Sequence, residues 1–217
     1  MSSPSASYRS LARVAQRLRL TSEWRAPALP ALFLLTDPKR TPDPIGLAER
    51  LPRGAGVIYR AFGDPGAAEI GRGLVAVARR LGLVVLVGAD AALAAEVHAD
   101  GVHLPERLLH AAPRIRARFP SWLITGAAHS ELALRRGARF DLDAALVSPV
   151  FDSRSPSAGR PLGAVRFAKW VRSAQLPVFA LGGVTAATAP RLSGSQAFGV
   201  ASIDGVVEAF DRTNGSL

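Results

Sequence analysis

The chain has 217 residues, 48% of them hydrophobic and 20% charged, enough for one globular domain with a full core. It contains no cysteine, which excludes disulfides, thiolate zinc sites and cysteine nucleophiles. The net charge of +10 is almost wholly arginine, because Lys39 and Lys169 are the only lysines. The arginines are spread through nearly every segment and carry no interleaved aromatic signature, so neither a nucleic acid nor a membrane surface is expected as partner. No secretory h-region or membrane-length apolar run is read, and the default expectation is a cytoplasmic protein.

Residues 1–30 read as an N-terminal extension, Ser-rich and disordered over 1–6 and helical from Ser7. Leu11, Val14, Ala15 and Leu18 recur at helical spacing with Arg9, Arg13 and Arg17 between them, and the helix is expected to end before Pro27. Residues 31–217 read as one further unit. Ala31 to Asp37 is a buried strand closed by Pro38, and helix signals follow from Ile45 to Arg50. Gly56 to Arg60 is a second strand; Ala67 to Leu81 is a helix that Gly82 caps. Leu83 to Val87 is a third strand, followed by a short helix from Ala89 to His98. Asp100 to Leu104 is the fourth strand, and the helix from Glu106 to Phe119 is broken or restarted at Pro113. Trp122 to Gly126, Ala144 to Ser148, Pro177 to Ala180 and Ala197 to Ser202 complete the strands. Helical patterns at Ser130 to Arg136, Val165 to Ser173 and, weakly, Ala187 to Leu192 separate them, and Ser202 and Ile203 open a last one.

Eight short strands therefore alternate with helices. Their apolar runs are continuous rather than alternating, as in strands buried on both faces, which argues βαβ units and a parallel sheet. Eight repeats without a long crossover favour closure into a single (β/α)8 TIM barrel with an extra N-terminal helix, for which this chain is short but within range. Two strand ends stand out. Strand seven stops at Gly182 and Gly183, which would bare backbone N–H groups to an anion. Strand eight, with Gly199, Val200, Ala201 and Ser202, runs into a helix N-terminus. Neighbouring ends of this kind suit the phosphate cup after strands seven and eight of a TIM barrel; the plainer reading is that the glycines serve tight turns.

Several motifs fall in order: Leu34-Leu35-Thr36-Asp37, Ala99 to Leu104, Thr125-Gly126-Ala127-Ala128-His129-Ser130, Ser148-Pro149-Val150-Phe151, Ala180 to Val184, and Phe198 to Ala201. Together they resemble the thiamine phosphate synthase family, most closely its TenI-like branch, over about residues 31–205. The resemblance implies the TIM barrel already reached from the strand count. It also implies a synthase that joins a pyrimidine pyrophosphate to a thiazole phosphate with Mg2+, or a TenI-like protein that binds the thiazole phosphate and shifts a proton on it.

The synthase side is poorly matched. After strand two the family reads Gln-Leu-Arg-Asp/Glu-Lys, and here Ile58-Tyr59-Arg60-Ala61-Phe62 keeps only Arg60. Gly88-Ala89 replaces an Asn-Asp pair, and Pro105-Glu106-Arg107-Leu108 replaces Gly-Gln-Glu-Asp. Asp90 and Glu106 would be shifted magnesium ligands only if the synthase reading holds; otherwise no metal or cofactor is expected. Ser153-Arg154-Ser155 keeps the hydroxyls of a Thr-x-Thr-Lys loop without its lysine. The thiazole side is better matched: Gly182, Gly183, Gly199, Val200, Ala201 and Ser202 for the phosphate, with Ser148, Pro149, Ser153, Ser155, Arg60 and His103 around the ligand. His129 occupies the position of a histidine implicated in the TenI branch, and an imidazole can take a proton from carbon and return it near neutral pH. Each assignment has a plainer counterpart: His129 caps or packs, His103 is a structural histidine, Arg60 pairs with Asp37. Three readings stay open: a thiazole phosphate binder that tautomerises its ligand with His129, a magnesium-dependent synthase, and a non-catalytic barrel for a phosphorylated ligand. The expected partner is a small phosphorylated thiazole, and self-association is left open.

Overall fold

The computed structural model describes residues 6–26, 28–155 and 159–211. Eight parallel strands close in sequence order: β1 (Leu32–Leu35), β2 (Gly56–Tyr59), β3 (Val84–Gly88), β4 (Gly101–Leu104), β5 (Leu123–Ala128), β6 (Ala144–Val147), β7 (Val178–Ala180) and β8 (Gly199–Ser202). Closure is made where Leu32 to Leu34 pair with Val200 to Ser202. The helices are α1 (Ala6–Thr21), α2 (Pro44–Ala48), α3 (Ala67–Leu81), α4 (Ala91–Glu96), α5 (Ala112–Arg118), α6 (Glu131–Arg139), α7 (Ala164–Ser173) and α8 (Asp204–Asp211). A 3-10 turn, Glu106–Ala111, precedes α5, so Pro113 does mark a restart. A 3-10 turn, Ala189–Leu192, replaces a full helix between β7 and β8, as its weak pattern suggests.

Strand geometry explains the continuous apolar runs. Side chains alternate across a strand. Phe33, Leu35, Ile58, Leu86, Leu146, Phe179 and Ala201 point inward and form one cluster, joined by Phe198. Leu34, Val57, Val85, Val102, Val147 and Val200 point outward and pack under the helices. Inside the barrel, Phe33 and Phe198 flank Phe179 with ring centroids 5.3 and 5.5 Å away, the tilted geometry that aromatic quadrupoles favour.

Local signals fix the helix ends. Asp90, Ser130 and Asp43 accept hydrogen bonds from the backbone N–H groups of Leu93, Ala133 and Gly46, each capping a helix start. Gly82 ends α3 in the left-handed region at φ 66°. The helix read from Ala89 to His98 is shorter than expected. Its first residues form the cap, and His98 itself adopts φ 56°. α1 buries Leu11, Ala15 and Leu18 against the wall near β8, β1 and α8. Leu29 belongs to the inner barrel cluster, so the segment read as an extension contributes to the core. The expectation for residues 1–5 lies outside the described residues. No helix among the described residues is long and apolar enough to cross a membrane.

Candidate active site

The alternation that packs the barrel also builds the site. Counting two residues at a time along the inward face leads from Ile58 to Arg60, from Gly101 to His103, from Thr125 through Ala127 to His129, and from Leu146 to Ser148. These positions lie at or just past the C-terminal strand ends, where a parallel barrel opens. Arg60, His103, Ala127, His129 and Ser148 line one cavity of about 680 Å3. Leu35, Ala127, Leu181 and Ile203 give it an apolar lining, and the βα loops supply its polar groups.

The two histidines there differ. His103 is 7% exposed, with Nδ1 2.9 Å from the hydroxyl of fully buried Thr125. Burial, and after it the charges of Arg60 and His129, pull its pKa down to about 3, so the ring is neutral at physiological pH. His129 is exposed to the cavity. Its backbone N–H donates to Glu106 Oε2 at 2.7 Å, and its ring Nδ1 lies 2.8 Å from the Ser148 carbonyl oxygen. A carbonyl only accepts, so this contact assigns a proton to Nδ1, and a ring that carries one proton keeps its lone pair on Nε2. The Ser148 hydroxyl lies 3.3 Å from the same Nδ1.

The same cavity holds a network of charge. Asp37, at the end of β1, accepts from Arg40 Nη2 at 3.1 Å and from Arg60 Nη2 at 3.4 Å. The Arg40 hydrogen bond is the main cause holding the Asp37 carboxyl below its ordinary pKa. Arg60 also donates from Nε to the Thr36 carbonyl at 2.7 Å, so of its two expected roles the pairing with Asp37 is present. Arg40 reaches Ser155 Oγ at 3.1 Å and Asp204 at 3.4 Å. Arg154 joins Asp204 at 3.5 Å and Glu208 at 2.6 Å.

Of the residues expected at the site, Arg60, His103, His129, Ser148, Pro149, Ser153, Ser155, Gly182, Gly183 and Ser202 line this cavity. Gly199, Val200 and Ala201 do not; this is a correction. Gly199 opens β8 and Val200 and Ala201 lie inside it, all three buried, and a side chain at Gly199 would run into the Ala31 carbonyl, so that glycine serves strand packing. Ser202 lines the wall, but its hydroxyl donates to the Val184 carbonyl at 2.6 Å and accepts from Gly205 N–H, fixing the start of α8. Gly182 and Gly183 do have left-handed backbones, φ 87° and 62°. The loop after β6 lies over them, with Val150 and Phe151 donating to the carbonyls of Leu181 and Gly182.

Asp90 and Glu106 do not converge. The carboxylate of Asp90 caps α4 and that of Glu106 holds His129 N–H. Among the described residues no cluster of three metal-ligating side chains forms. Asp90 and Glu106, each engaged by a backbone N–H of its own surroundings, are not drawn together as a pair of magnesium ligands. Arg40, Asp204, Thr185 and Thr188 line the cavity without having been anticipated. For Arg40 a signal was present: it follows a strand end by a few residues, where barrel sites are built.

Fold and cavity define the class: a (β/α)8 barrel whose polar and charged side chains gather in one cavity at the C-terminal ends of its strands. The chain belongs to the thiamine monophosphate synthase family, whose profile matches residues 33–206. A putative thiamine-phosphate synthase 2 of Aquifex aeolicus is 25% identical over 186 residues, 83% of this chain and 99% of that protein. The thiamine-phosphate synthase of Methanoculleus marisnigri is 36% identical over 125 residues, 57% of this chain and 58% of that one. Among solved structures, a thiamine phosphate pyrophosphorylase from Pyrococcus furiosus superimposes with a TM-score of 0.73 at 23% identity, covering 87% of this chain and 95% of that one, a likeness of fold.

Proposed function

We propose that this barrel binds a thiazole phosphate in its mouth and moves a proton on the ring with His129 as acid and base. The observation that carries the reading is the Nδ1–H bond from His129 to the Ser148 carbonyl, which leaves Nε2 free to act as a base in the cavity wall. In the forward step Nε2 takes a proton from a ring carbon. The imidazolium so formed keeps its Nδ1–H on the carbonyl, which supports the positive charge, and returns the proton to a second carbon. Atoms balance without a co-reactant. Neutral His103 is a fixed hydrogen-bonding group on the cavity wall, held by Thr125. The cationic side chains and the glycine corner at Gly182 and Gly183 would receive the phosphate.

The names of the relatives favour a second reading, the synthase itself. Ala89, Leu108 and Phe62 stand where the family pattern has two carboxylates and a lysine, and Asp90 and Glu106 are engaged elsewhere. The test is to incubate the protein with thiazole phosphate alone and, separately, with pyrimidine pyrophosphate and magnesium. The proposal expects tautomerisation in the first, with thiamine phosphate formation weak or absent in the second. His129→Asn is expected to retain ligand binding and to lose about two to four orders of magnitude in rate, the usual share of a general base. Synthase turnover abolished by a chelator, without tautomerisation, would favour the second reading.

A further inference from the structure

The charge network at the mouth sets one carboxylate, Asp204, between two arginines. Asp204 is the first residue of α8, its side chain is only 20% exposed, and it forms part of the cavity wall beside Ser202 and Thr185. The start of α8 is packed against the chain leaving β7: a side chain at Gly205 would run into the Val184 carbonyl, and Ser202 Oγ ties that carbonyl to Gly205 N–H. Asp204 is thereby held at the corner between β7 and β8. There its carboxylate meets Arg40 Nη1 at 3.4 Å and Arg154 Nε at 3.5 Å, both side chains reaching in from other loops.

We propose that Asp204 sets the specificity of this site by standing in for the ligand's anionic group: its carboxylate holds the two arginine donors that a phosphate ester would otherwise take. This inference rests on the reading that the ligand's phosphate enters the corner between β7 and β8. An incoming dianion then faces a fixed like charge and must draw Arg40 and Arg154 away from it, while a ligand without phosphate meets no such opposition. The result is a site that prefers a phosphorylated ligand over its alcohol far less than its arginine content suggests.

The geometry separates this role from a scaffolding one. Arg40 has two further anchors, Asp37 Oδ2 at 3.1 Å and Ser155 Oγ at 3.1 Å, and Arg154 has Glu208 at 2.6 Å. Removing the Asp204 charge frees a donor on each arginine without releasing either side chain.

The experiment is calorimetric titration of the full chain and of Asp204→Asn and Asp204→Ser, with folding of each checked by circular dichroism. The ligands are inorganic phosphate, thiazole phosphate and the corresponding thiazole alcohol. Both variants are expected to bind inorganic phosphate and thiazole phosphate about tenfold to a hundredfold more tightly, the worth of one or two charge-assisted hydrogen bonds, with affinity for the alcohol unchanged. Unchanged or weaker phosphate affinity in the folded variants overturns the inference, the weaker case making Asp204 a support for the arginines; so does absence of phosphate binding in all three proteins. A gain for inorganic phosphate, with thiazole phosphate bound no better than phosphate itself, upholds the role of Asp204 and sinks the thiazole reading instead.

Discussion

At the scale of single residues, the inward face of the barrel changes character from Phe and Leu to His, Thr and Arg over one or two positions, and two side chains show what that does to stability. His103 is neutral when folded, with its pKa pulled down to about 3 by burial, while an unfolded histidine titrates near 6.5. Between these values the unfolded chain binds a proton that the folded one does not, so His103 makes stability fall as pH drops from about 6.5 toward 3. Urea unfolding at pH 7 and pH 5 is expected to show a loss on the order of 2 kcal/mol from this group, and His103→Gln is expected to remove that part of the slope. Asp37 acts in a separate window: its lowered pKa contributes stability above the ordinary carboxylate range that is lost only at lower pH. Tyr59 points outward beneath the helices, and among the described residues its buried hydroxyl meets no hydrogen-bond partner. Tyr59→Phe is expected to leave stability unchanged or raise it by up to about 1 kcal/mol in a thermal or urea melt, because it removes an unsatisfied polar group and no bond.

At the scale of elements, the strand ends carry both the correct and the mistaken expectations. The glycine pair after β7 was legible because two adjacent glycines at a strand end imply an unusual backbone, and both are left-handed. What demands them is also internal: a side chain on Gly183 would collide with the Asp152 carbonyl of the loop after β6. Gly183→Ala is therefore expected to lower stability by about 2 kcal/mol or more, adding a backbone clash to the strain of a left-handed alanine. A melting temperature equal to that of the unmodified chain would contradict this. Gly199 has the same local look, yet its constraint is the approach of Ala31 across the β1–β8 seam, which sequence neighbours do not reveal. The same holds for Arg40 and Asp204. They are far apart in sequence and meet only because closure sets the start of α8 beside the loop after β1. By contrast His129 and Ser148 were legible, since each continues the alternation of its own strand one step past the last paired residues.

At the scale of the whole molecule, the strand count and the absence of a long crossover were enough to predict a closed parallel barrel, and closure in turn brings residues at or after the ends of all eight strands to one cavity. The family membership agrees with this layout. The proposed chemistry is proton transfer on a thiazole phosphate by His129. It is tested most directly by following deuterium wash-in from heavy water to the ligand's carbon positions by proton NMR, with wild type and with His129→Asn. Wild type is expected to accelerate exchange well above the buffer rate, and His129→Asn, still binding the ligand, is expected to lose about a hundredfold or more of that acceleration. Exchange no faster with wild type than in buffer, or equally fast with the variant, would contradict it.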